Sequence, residues 1–116
     1  MTIQRLHIGN RLSQAVIHGD TVYLAGQVAD KAAGGSVEEQ TKEILANIDK
    51  LLAEAGSDKT KMLMANVWLA NIADFSAMNS VWDAWVPQGN TPARACVEAR
   101  LAASKYTVEI AVIAAR

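Results

Sequence analysis

Apolar residues repeat at two periods along this chain, and the switches between them lay out its elements. The stretch QAVIHGDTVYLAGQVA, Gln14 to Ala29, reads as two strands around the turn cluster His18-Gly19-Asp20-Thr21. Gly26 interrupts the second of them, which marks a bulge or a close backbone approach. DKAAGGS follows as a flexible loop. Ser36 then opens a helix. SVEE fits the S-x-x-E capping box, in which serine and glutamate satisfy N–H groups that the first turn leaves free. Ile44, Ile48, Leu51, Leu52 and Ala55 recur at helical spacing, with Lys42, Glu43 and Lys50 toward solvent and Gly56 as the stop. After SDKTK, Met62 to Leu69 is strand-like. Asp74 caps a second helix with the stripe Phe75, Met78, Val81, Trp82 and Trp85, closed by Pro87 and Gly89. NTPARACVEARL, Asn90 to Leu101, is the next strand, LAASK a turn, and Tyr106 to Ala114 the last strand.

The order β-β-α-β-α-β-β predicts a single α+β domain over residues 1–116, one β-sheet with two helices on one face. The strands, however, are apolar on both parities: Met64, Trp68 and Ile113 alternate with Val67, Leu69 and Val112. Two helices cover one sheet face, so the other is expected to be buried by further copies of the chain in a closed cyclic homo-oligomer.

Composition removes several classes of function. A chain of 116 residues has room for one modest core. A net charge of −1 provides no field for nucleic acid or an anionic membrane, and the basic residues do not interleave with aromatics. No apolar run approaches the ~20 residues of a spanning helix, and MTIQRLHIGN has no apolar signal core. One cysteine forms no internal disulfide, and no Cys/His spacing suits a metal. The expectation is a cytoplasmic protein, with no metal, no nucleic acid and no membrane partner. Gly34-Gly35 lacks the rest of a phosphate-loop pattern.

The candidate chemistry sits in the last two strands. NTPARACVEARL shows Ala93, Ala95, Val97 and Ala99 on one parity and Arg94, Cys96, Glu98 and Arg100 on the other. Arg94 at the mouth of a strand can hold a carboxylate through two parallel charge-assisted hydrogen bonds, although a solvated surface position is commoner for an arbitrary arginine. Cys96 as a nucleophile needs a base, and neither His7 nor His18 belongs to a linked motif; a small buried cysteine is the commoner case. Glu109, in the apolar run YTVEIAVIAA, faces a wet edge, pairs with an arginine, or does acid–base work. In a hairpin of these two strands, a one-residue shift of the turn near 102 or 103 decides whether Arg94 and Glu109 share a face. Trp82 and Trp85 at three-residue spacing read as core, and Asn79 by itself reads as a solvent residue.

GDTVYLAGQVA, the helix over 36–55, the Asp74-Phe75 helix ending in VWDAWV, and NTPARACVEARL followed by YTVEIAVIAA together resemble the reactive intermediate (imine) deaminase, or Rid, family. The resemblance spans nearly the whole chain, and its most specific element is PAR-x-C-V-E with the later V-E-I. It implies a chorismate-mutase-like fold and a homotrimer with clefts between neighbouring subunits. The implied activity is hydrolysis of 2-imino acids, or their enamine tautomers, to 2-keto acids and ammonia without metal or cofactor. It implies that Arg94 clamps the substrate carboxylate, that the Cys96 backbone N–H assists it, and that Glu109 positions or activates water. Gly26 would line the pocket and Asn79 would lie near the cleft. Two positions depart from the family pattern, Leu12 for a tyrosine and Ala25 for a serine, and both remove hydroxyls from the expected pocket. Rival readings are a non-catalytic 2-keto acid sensor, which those two losses favour, and the ribonuclease or translation inhibitor of the family's other labels. Near-neutral charge and the lack of a catalytic histidine pair argue against the last.

Overall fold

The computed structural model describes residues 1–116. Three strands, β1 (Ile3–Ile8), β2 (Ser13–His18) and β3 (Thr21–Leu24), form an N-terminal antiparallel meander. Helix α1 (Val37–Glu54), strand β4 (Met62–Leu69), helix α2 (Phe75–Trp85) and strands β5 (Ala93–Glu98) and β6 (Val108–Ala115) follow. The α+β class, the single sheet and the two helices are as expected, but β1 is an additional strand. Five of its six residues are exposed. A strand that pairs through its backbone without burying a face has no apolar alternation to read, and IQRLHI has none.

The sheet order is β1-β2-β3-β6-β4-β5. The hairpin expected between the last two strands does not form. β5 lies parallel to β4 at the sheet edge, whereas β6 is inserted antiparallel between β3 and β4. The connection from β4 to β5 runs through α2, and the long crossover lets the chain return parallel. The connection from β3 to β4 runs through α1 in the same way, with β6 filling the place between them. Crossovers of this kind share one hand, which puts both helices on the same face.

That face holds the core: Ala15, Ile17, Val22 and Leu24 of the meander, Ala65, Val67 and Leu69 of β4, and Val108, Ile110, Val112 and Ala114 of β6 are all buried. Ile44, Leu45, Ile48 and Leu52 of α1 and Met78 of α2 cover them. The opposite face carries a cross-strand row, Val16–Tyr23–Ile113–Met64–Ala93, then Ala111–Asn66–Ala95, then Glu109–Trp68–Val97. Every one of these residues is exposed or half-exposed, Tyr23 at 46% and Val97 at 51%. Within one chain this largely apolar face is bare.

The caps of α1 follow the sequence, whereas that of α2 does not. The Ser36 hydroxyl accepts from Glu39 N at 3.1 Å. Beyond α1, Gly56 at φ 79° allows Ser57 N to bond Leu52 O at 2.8 Å and Gly56 N to bond Ala53 O at 3.1 Å, the paired closure of a Schellman end. Asp74 precedes α2 without a side-chain cap bond, and Asn71 instead accepts from Ala73 N at 2.9 Å. Glu43 does not face free solvent as expected. Its carboxylate takes Ala32 N at 2.7 Å and Lys31 N at 3.2 Å, and so ties down the 30–36 loop. No helix is long and apolar enough to cross a membrane.

Candidate functional site

The structure divides the five sequence-nominated residues into two groups on opposite faces of the sheet. β4 and β5 pair with Arg94 opposite Ala65, Cys96 opposite Val67 and Glu98 opposite Leu69, so these three continue buried helix-side rows outward to the sheet edge. Glu109 is opposite Trp68, on the bare face. Arg94 lies in register with Val112, two strands away, and Glu109 is three residues further along β6. With ~3.3 Å per residue and ~4.8 Å between strands, the two backbones are on the order of 14 Å apart. Their side chains, moreover, leave the sheet in opposite directions.

On the helix side, Arg94 is held by α2. Its Nη1 donates to Asn79 Oδ1 at 2.8 Å. The guanidinium carbon lies 5.1 Å from the Trp82 ring centroid and 5.8 Å from that of Phe75, within cation–π range. No carboxylate pairs with Arg94; the chain's one ion pair is His7–Glu54. Asn79 is therefore not a solvent residue but the polar partner of the guanidinium. Trp82 is 5% exposed and packs against Trp85, ring centroids 5.4 Å apart, so the core reading of this pair holds while one ring also underlies Arg94. Cys96 is half-buried, and burial pushes its thiol above the ordinary range, with the Arg94 charge offsetting part of the rise. A raised pKa is the reverse of what a nucleophilic thiolate requires. Glu98 accepts from Ile72 N at 3.0 Å and anchors the entry to α2.

On the bare face, Glu109 and Gly26 form a unit. The bridge between Gln27 and Ile110, with N–O distances of 2.8 and 3.1 Å, draws the segment after β3 against β6. A Cβ on residue 26 would fall on the Glu109 carboxylate, whose carboxyl carbon would be 3.1 Å away. Gly26 thus gives room to the side chain of Glu109, the close approach that its position in a strand suggested. Leu12 is 53% exposed, and Ala25 N donates to Gln14 O at 2.9 Å. None of the four concavities of a single chain is lined by Arg94, Asn79, Cys96, Gly26 or Glu109.

Sequence reasoning missed Gln40. It is fully buried, donates from Nε2 to Lys105 O at 2.9 Å and Gly35 O at 3.1 Å, and accepts from Thr107 N at 2.9 Å. It joins the loop before α1 to the segment leading into β6, and hence to the strand that carries Glu109. A glutamine on the apolar side of a helical repeat was the available signal.

With this geometry in place, comparison with known proteins identifies the class. The family model described as Endoribonuclease L-PSP matches residues 2–116. A RutC family protein of Haemophilus influenzae is 46% identical over 114 residues, covering 98% of each chain. A crystal structure of NMB1025, a YjgF family member from Neisseria meningitidis, superposes with a TM-score of 0.97 at 45% identity, covering 100% of this chain and 96% of that one. The 2-iminobutanoate/2-iminopropanoate deaminase of Capra hircus is 41% identical over 107 residues, 88% of this chain and 77% of its own. The chain belongs to the Rid family, as NTPARACVEARL with the later VEI implied.

Proposed function

We propose that this protein hydrolyses 2-imino acids, or their enamine tautomers, to 2-keto acids and ammonia. The observation that carries the reading is Arg94: a guanidinium with no acidic partner, oriented by Asn79 and two rings at the open edge of the sheet. Such a group takes a carboxylate in the bidentate geometry that fixes a small acid in one orientation. The kinship with a mammalian protein named for this reaction supports the same chemistry.

Arg94 and Glu109 of one chain lie too far apart, and on opposite faces, to grip one small acid. The site we propose therefore joins Arg94 of one copy to Glu109 of its neighbour, in a cleft of a homotrimer that also covers the bare sheet face. The Arg94 guanidinium, with the backbone of Cys96 beside it, holds the substrate carboxylate. Glu109 orients a water and accepts its proton as the oxygen attacks the imine carbon. Attack gives a carbinolamine as Glu109 returns that proton to nitrogen; the C–N bond then breaks while the hydroxyl proton passes to the departing ammonia and the C=O bond forms, so substrate plus water balances keto acid plus ammonia. Iminium carbon is already electrophilic, and positioning water and carboxylate supplies the main requirement. Leu12 and Ala25 replace hydroxyls with alkyl groups and make the proposed pocket more apolar.

A ribonuclease reading, drawn from the family's other name, has less support. His7 is paired with Glu54 at 2.5 Å and His18 is on β2, so no histidine pair converges on Arg94 or Glu109. The test is release of keto acid and ammonia from an imine generated in situ by an amino-acid oxidase. Acceleration over buffer, lost in Arg94→Ala, is expected; no acceleration, or full activity in Arg94→Ala, overturns the proposal.

A further inference from the structure

Helix α2 presents Phe75, Asn79 and Trp82 along one stripe, spaced four and then three residues apart. All three meet the same group. Asn79 accepts one N–H of Arg94 at 2.8 Å, and the two rings lie 5.1 and 5.8 Å from the guanidinium carbon. The helix is fixed in turn: Met78, on the core side, is fully buried, Trp82 is 5% exposed, and Glu98 takes the Ile72 N–H just ahead of the helix.

We infer that this stripe is the positioning device of the clamp, built from neutral groups so that Arg94 is held still while its charge stays uncompensated. An arginine has five N–H donors, and Asn79 engages one group of them. The remaining fork is left for an incoming anion. A flexible arginine at a sheet edge otherwise loses much of its rotamer freedom when it captures a ligand, and a pre-oriented one loses less. The chemical identity of residue 79 is then decisive. Asparagine and aspartate have nearly the same shape, and both present an oxygen to Nη1. Aspartate, however, would form an internal ion pair and occupy the guanidinium as a built-in competitor. Trp82 and Phe75 perform the complementary task through ring faces, which attract the cation without neutralising it. Phe75, 40% exposed, also leaves a ring beside the clamp that a bound acid's apolar side chain can touch.

This inference rests on Arg94 as a carboxylate clamp, and two measurements on the full chain separate the two claims. The first is NMR relaxation of the Arg94 side-chain Nε–H group, with no ligand present. Restricted motion and a ring-current shift are expected in the wild type, both diminished in Trp82→Leu. Motion as free as that of the exposed Arg100 overturns the positioning role, whatever the protein binds. The second is titration with 2-oxobutanoate of wild type, Arg94→Ala, Asn79→Ala and Asn79→Asp. Asn79→Ala, which removes the acceptor but adds no charge, should bind about threefold more weakly than wild type, and Asn79→Asp at least about tenfold more weakly. Asn79→Asp binding as tightly as wild type overturns the inference and leaves the clamp standing. Wild type and Arg94→Ala binding alike, or neither binding, overturns the clamp, while the relaxation measurement still decides the positioning.

Discussion

The carboxylate of Glu109 lies in the space that a Cβ on residue 26 would need. Gly26 and Glu109 are 83 positions apart, and the Gln27–Ile110 bridge brings them together. Gly26→Ala should therefore act on Glu109 more than on the fold. The carboxylate is the free end of a flexible side chain and can swing aside, so the stability cost should stay below about 1 kcal/mol, under the usual cost of overpacking a core. Deaminase activity should fall at least about tenfold, because the water-positioning group moves. In a Glu109→Ala background, which has no carboxylate to displace, the same glycine substitution should lose its stability cost, the signature of two residues acting as one unit. Steady-state rates and urea unfolding of the four variants check this.

Gln40 should prove to be the most sensitive polar residue of the core. Gln40→Leu conserves most of the volume but strands Gly35 O and Thr107 N, and leaves Lys105 O with Gly34 N alone. Losing those bonds should cost about 2–4 kcal/mol, given the usual penalty for buried polar groups left unpaired. The urea midpoint reads it directly, compared with about 1 kcal/mol for Ser36→Ala at the α1 cap.

Cys96 should be slow to react. Burial raises its thiol above the ordinary range, so the thiolate is scarce at neutral pH. The sign is that of a group whose folded pKa is raised. The protonated form is favoured in the folded state, so the stability this contributes is full below the unfolded pKa and is lost as pH rises from there through the folded value. Iodoacetamide labelling at pH 7 should lag behind that of a free cysteine and rise only on the alkaline side. Cys96→Ala should keep most of the deaminase activity, since the part proposed for this residue belongs to its backbone.

The bare sheet face predicts its own mutational signature. Ile113 stands between Tyr23 and Met64 in the first cross-strand row. Ile113→Glu places a charge where the proposed neighbour packs and should shift the sedimentation profile from trimer toward monomer, with loss of activity. An unchanged assembly would mean that another surface holds the copies together.

Much of this fold was legible in the sequence because it is written in periodicity. The capping serine at 36, the glycine stop at 56 and the apolar stripes of both helices all respond to local physics and all appear where expected. β1 was not legible, because an exposed edge strand needs no apolar alternation. The strand order was not legible either, since the turn LAASK looks like a hairpin connection and only tertiary packing sends β6 into the middle of the sheet. That topology decides the site. It places Arg94 and Glu109 on opposite faces and two strands apart, where a hairpin would have made their strands neighbours and left the face undecided. Residue types gave Arg94, Glu109 and Gly26 plausible chemistry. The tie between Arg94 and Asn79, and the stacking on Trp82, depend on where α2 crosses the sheet edge.

The central claim is that Arg94 of one copy and Glu109 of its neighbour act on the same substrate molecule. Mixing Arg94→Ala and Glu109→Ala chains tests it most directly. Each variant alone should be inactive in the imine-hydrolysis assay. Unfolded and reassembled together in equal amounts, they should regain about a quarter of wild-type activity, because in a ring of randomly mixed copies one cleft in four receives both intact residues. Mixed assemblies that form but remain as inactive as their parents would contradict the shared site.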